Sequence, residues 1–83
     1  MATPVPFEVH HHRDAMDVTA RLPGVRREDL RVDVTRDSLL VAVHSADGAE
    51  VHTLPLAAPI DGRRATMHFA DGVLTLHLPK LTP

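Results

Sequence analysis

Apolar and polar residues alternate along most of the chain with a period of two, the spacing of a strand with one face covered and the other in water. Phe7 and Val9 alternate with Glu8 and His10, and Met16, Val18, Ala20 and Leu22 with Asp17, Thr19 and Arg21. Leu30, Val32 and Val34 alternate with Arg31, Asp33 and Thr35. The run Leu39-Leu40-Val41-Ala42-Val43 is apolar on both faces, as a central strand would be, and its phase stays open. Leu54 and Leu56 flank Pro55, which has no N–H to give a ladder, so this strand belongs at an edge or beside a bulge. Ala65, Met67 and Phe69, then Leu74, Leu76 and Leu78, complete the pattern. Turn chemistry separates the runs: Pro23-Gly24, Asp47-Gly48, the segment Ala57 to Gly62, and Asp71-Gly72. Only Arg26-Arg27-Glu28-Asp29 reads as a turn of helix. The prediction is an all-β protein, an immunoglobulin-like antiparallel β-sandwich of about seven strands.

Composition narrows the function classes. The 83 residues allow one domain, with 43% hydrophobic residues but only 2% aromatic, so aliphatic side chains must fill the core. The net charge is −2, and no aromatic ladder accompanies it, which argues against nucleic-acid binding. There is no Cys, hence no disulfide framework and no thiolate metal site. No apolar run approaches the roughly 18–20 residues of a membrane span, and the start of the chain has no secretory-signal pattern. A cytoplasmic protein is expected.

Two segments carry a family resemblance. Leu22-Pro23-Gly24-Val25 followed by Glu28-Asp29-Leu30 and Val32-Asp33-Val34, and Gly72-Val73-Leu74-Thr75-Leu76 closing on Leu78-Pro79-Lys80, resemble the hallmarks of the α-crystallin domain of small heat-shock proteins. Pro59-Ile60-Asp61, Phe69-Ala70-Asp71 and Phe7-Glu8-Val9 fall where similar segments fall in that family. The resemblance implies a domain over residues 7–80, a short N-terminal extension over 1–6 and a C-terminal remnant over 81–83. It is expected to be a minimal version, without the N-terminal arm, the strand-swap loop or the C-terminal Ile-x-Ile tail. Ser45 to Ala49 is all the chain available for that loop.

The implied function is ATP-independent, holdase-type binding of unfolded or partly folded polypeptides. The family's groove lies between its fourth and eighth strands; by alignment Val32 and Val34 line one side here, Ala65 and Met67 the other. The same four residues also fit a core, because alternating apolar residues usually face inward. Met67 is the leading groove candidate, since Met adapts to varied partners. The alternative is an adaptor or co-chaperone like the CS domains, which share this sandwich and bind one specific partner.

Exposed edges are expected at Phe7 to His12 and at Glu50 to Leu56, with Pro4, Pro6 and Pro55 blunting them. The chain is read as a monomer or a weak homodimer, self-paired antiparallel through Glu50, Val51, His52, Thr53 and Leu54. Among the 7 His, His10 and His12 are two apart and share a strand face, but no third ligand is placed, so no metal and no cofactor are expected. No nucleophile, base and orienter stand in a workable relation, so no enzyme activity is expected.

Overall fold

The computed structural model describes residues 7–81. It contains β1 (Phe7–His11), β2 (Ala15–Arg21), a 3₁₀ turn η1 (Arg27–Asp29), β3 (Leu30–Val34), β4 (Ser38–Ser45), β5 (Gly48–Pro55), β6 (Thr66–Ala70) and β7 (Val73–Pro79). These strands form two antiparallel sheets, ordered β1-β2-β7-β6 and β3-β4-β5. The strand count and class match the period-2 pattern. The Leu-Pro-Gly corner carries the chain from the first sheet to the second: Gly24 takes φ +79 and Val25 N–H donates to Leu22 C=O at 3.2 Å.

One face of each sheet turns toward the other sheet, and burial is deepest on β2, β4 and β7. Met16, Val18 and Ala20 of β2, Leu74, Leu76 and Leu78 of β7, and Leu39 and Val41 of β4 interlock with Leu22, Ile60 and Phe69. The open phase of the apolar run in β4 is thereby settled: Leu39 and Val41 are fully buried and face the opposite sheet. On the other side of that strand, Ala42 is also shielded, at 7% exposure, between Arg31 of β3 and Val51 of β5. No polar or charged residue among those described is fully buried.

Turns fix the registers. Asp71 (φ +53) and Gly72 (φ +76) form a two-residue connection with both central residues in the left-handed region, so Ala70 faces Val73 and Phe69 faces Leu74. Ala46 and Asp47 join β4 to β5 equally tightly, with Ser45 opposite Gly48. The segment after β7 is stitched down: Lys80 N–H donates to Asp14 C=O, Asp61 N–H to Pro79 C=O and Leu81 N–H to Pro59 C=O.

Two expectations need correction. His12 lies outside β1, which ends at His11, so it does not share a strand face with His10. The edges are four, not two, because β3 and β6 also lack an outer neighbour. Pro4 and Pro6 lie outside the described residues. Pro55 is the last residue of the edge strand β5, opposite Ser38, where an edge tolerates a residue without an N–H.

Candidate functional site: a groove between two sheet edges

The edge strands β3 and β6 belong to different sheets, yet they border one open cavity. It has a volume of about 260 Å³ and is lined by Val32 and Val34 from one side, Ala65 and Met67 from the other, with Leu76 at its floor. The four residues singled out in the sequence are therefore brought together. They are not core in the sense of Leu74 or Val18. Val32, Val34 and Ala65 are half-buried, and Met67 is 56% exposed, one of three large hydrophobic side chains that solvent reaches among the described residues. Alternation alone counted Met67 with the inward positions. At an edge no further strand covers that face, and the side chain is left in the open.

Backbone phase adds to the groove. Thr35 N–H donates to Ser38 C=O at 2.9 Å, which makes this the first bonded pair of the β3–β4 hairpin. Bonded and non-bonded pairs alternate in an antiparallel ladder, so Asp33 and Arg31 bond to β4 while Val32 and Val34 turn their N–H and C=O outward. On β6 the two-residue turn makes Ala70–Val73 the first bonded pair and leaves Met67 and Phe69 in the outward phase. Phe69 C=O indeed accepts a hydrogen bond from Arg27 Nη2 at 3.2 Å instead of from a strand. Val32 and Val34 on β3 and Met67 on β6 thus line the groove with their side chains and also turn their backbone groups away from the neighbouring strand. A second cavity of about 250 Å³, lined by Arg27, Leu30, Met67, His68 and Phe69, continues the groove past Met67.

The β5 edge has the same logic. Leu56 N–H donates to Asp37 C=O at 2.8 Å, so the even-numbered residues Glu50, His52 and Leu54 bond to β4 and Ala49, Val51 and Thr53 point outward. Val51 is 58% exposed. His52 faces inward, and its Nε2 is buried without a hydrogen-bond partner. Glu50 Oε2 stands 3.5 Å away, too long for a hydrogen bond and an ion pair only when the imidazole is protonated.

Two of the histidines, His12 and His77, meet at a residue that the alternation pattern did not single out. Asp17 lies opposite His10 on β1 and His77 on β7. Its carboxylate contacts His77 Nδ1 at 2.6 Å and His12 Nε2 at 2.8 Å. The hydrogen bond with His77 is the main cause that holds the Asp17 carboxyl below its ordinary value; partial burial opposes it and His12 adds to it. Among the described residues no three His, Asp or Glu side chains are placed to hold a metal ion. The signal for Asp17 was its place in register between two His-bearing strands, which becomes visible only when the strands are paired.

Two antiparallel sheets, a Leu-Pro-Gly crossing between them and a groove between the edges β3 and β6 define the α-crystallin-type sandwich. No family model matches the chain. Heat shock protein 16 of Schizosaccharomyces pombe is 27% identical over 93 residues, covering 90% of this chain and 65% of the relative. The chain thus spans just under two thirds of that relative's length. The structure of Heat shock protein 16.0 from the same yeast matches with a TM-score of 0.84 at 26% identity, over 98% of this chain and 69% of that one. A small heat-shock protein from Xylella fastidiosa matches with a TM-score of 0.77 at 17% identity, over 95% and 87% of the two chains. In sequence and in fold the chain is similar to small heat-shock proteins, and its architecture is that of their α-crystallin domain.

Proposed function

We propose that this chain is an ATP-independent polypeptide-binding domain that holds extended aliphatic segments of unfolded or partly folded proteins in the β3–β6 groove. The observation that carries this reading is that Val32, Val34, Ala65 and Met67, from two different sheets, line one open cavity. Burying apolar area there contributes roughly 25 cal/mol per Å². The outward N–H and C=O groups of Val32 and Met67 let an extended segment add itself as a strand, while its alternate side chains enter the cavity. Binding of this kind needs no cofactor and no bond-making step. The β5 edge supports weak homodimers through antiparallel pairing of Glu50, Val51, His52, Thr53 and Leu54. A Cys-free chain in which no helix among the described residues is long and apolar enough to cross a membrane fits a cytoplasmic place of work.

Light scattering of a heat-destabilised model client, with and without the protein, tests the reading. The protein is expected to suppress the client's scattering, and Met67→Glu, a change at an exposed site, is expected to remove most of that suppression at an unchanged melting temperature. A protein that leaves client scattering untouched refutes the holdase reading and turns the search to a single specific partner, as for an adaptor domain.

A further inference from the structure

The groove is chemically different at its two ends. The Val34–Ala65 end has no cation among its lining residues: Val34, Gly62 and Ala65 border it together with Asp33 and Thr66. The other end is bordered by Arg27, which η1 places immediately before β3. Arg27 is fixed there by its hydrogen bond to Phe69 C=O, a contact that uses one nitrogen of the guanidinium. Among the described residues Arg27 makes no ion pair. Its neighbour Arg26 takes the local carboxylates instead, contacting Glu28 at 3.2 Å and Asp29 at 3.4 Å. A tethered guanidinium with unused donors, at the rim of an apolar cavity, is suited to a carboxylate, which accepts two parallel N–H bonds from it.

Resting on the groove reading above, we propose that Arg27 sets the sequence preference and direction of the bound segment: a Glu or Asp side chain of the segment, next to its aliphatic residues, pairs with Arg27 at the Leu30–Phe69 end of the groove. Leu30, Val32 and Val34 succeed one another on the inner face of β3, and a paired strand repeats that spacing. The carboxylate is a side chain of the bound segment, because a strand that adds itself to an open edge can come from within a longer chain. A segment with Lys or Arg in the same place meets like charge and is disfavoured.

The test uses short synthetic peptides, acetylated and amidated so that no terminal charge contributes, each with two Ile two residues apart. One pair carries Glu or Gln before the first Ile, and a second pair carries Glu or Gln after the second Ile. Affinities are read by fluorescence anisotropy at low and high salt. One of the two placements, and only one, is expected to show Glu binding about fivefold tighter than Gln, the size of a rim ion pair. That preference is expected to shrink in high salt and to disappear in Arg27→Gln. The placement that carries it reports the direction of the bound strand. Equal binding of all Glu and Gln peptides by the wild-type protein overturns the role of Arg27 while leaving the groove intact, as does a preference that survives Arg27→Gln. Failure of every peptide to bind overturns the groove reading itself.

Discussion

At the scale of single residues, Gly72 and Asp17 are constrained in opposite ways. Gly72 sits at φ +76, and a Cβ built on it would lie 3.3 Å from Leu22 C=O and 3.4 Å from Pro23 Cα. Leu22 N–H in turn donates to Gly72 C=O at 2.6 Å, so the β6–β7 turn is clamped against the Leu-Pro-Gly corner. Gly72→Val therefore meets both a left-handed backbone and a backbone obstacle, and is expected to destabilise the fold by about 1–3 kcal/mol. Thermal unfolding checks this; an unchanged melting temperature would place the strain elsewhere. Asp17 instead acts through charge. Its folded-state pKa is lowered by its imidazole partners, so its contribution to stability is present above the unfolded value of about 3.9 and is lost as pH falls through the folded value. The melting temperature of Asp17→Asn is expected to lie below that of the wild type near pH 5. The gap is expected to close as acidification passes through the lowered folded-state value. A gap that stays constant across that range would mean that shape, not charge, is what Asp17 supplies.

At the scale of elements, the edges decide how the molecule meets others. Proline on β5 acts differently at odd and even positions. Val51→Pro and Thr53→Pro remove N–H groups that point away from β4, so the folded subunit keeps its ladder and only self-pairing loses a bond. Leu54→Pro removes a bond inside the sheet. Sedimentation at high protein concentration is expected to show the homodimer lost in Val51→Pro and in Thr53→Pro, with melting temperatures near the wild-type value, whereas Leu54→Pro lowers the melting temperature markedly. A dimer that survives both odd-position changes is not built through β5. The distinction was partly legible beforehand: Pro55 announced an edge strand, but which residues face outward follows from a single bond, Leu56 N–H to Asp37 C=O.

At the scale of the whole molecule, the central contact joins distant parts of the chain. Strand β2 pairs with β7 along its full length, Ala15 opposite Pro79 through Arg21 opposite Val73, so the first sheet closes only when most of the chain is in place. This topology leaves two seams along the sandwich where edges of opposite sheets meet. The β3–β6 seam opens as the groove. No aromatic residue other than Phe69 packs fully into the core, and Leu, Val and Met do the filling. A small aliphatic core covered by two sheets of four and three strands leaves its edge residues half-covered, which is the physical origin of the groove's apolar lining.

What the sequence determined by itself was everything with a local cause. Period-2 alternation specified the strands, Gly at positive φ specified the corner and the last hairpin, and the Leu-Pro-Gly and Gly-Val-Leu segments carried the resemblance to the α-crystallin domain. What only the tertiary structure decided was everything that depends on which strands are neighbours. Alternation reports a face but not an edge, so it could not separate half-covered Val32 and exposed Met67 from buried Leu74. Nor could it bring His12 and His77, far apart in the chain, onto the one carboxylate of Asp17, or set Arg27 at the mouth of a groove built from strands on two sheets. Those placements follow from packing one sheet on the other, a long-range choice that no window of neighbouring residues encodes.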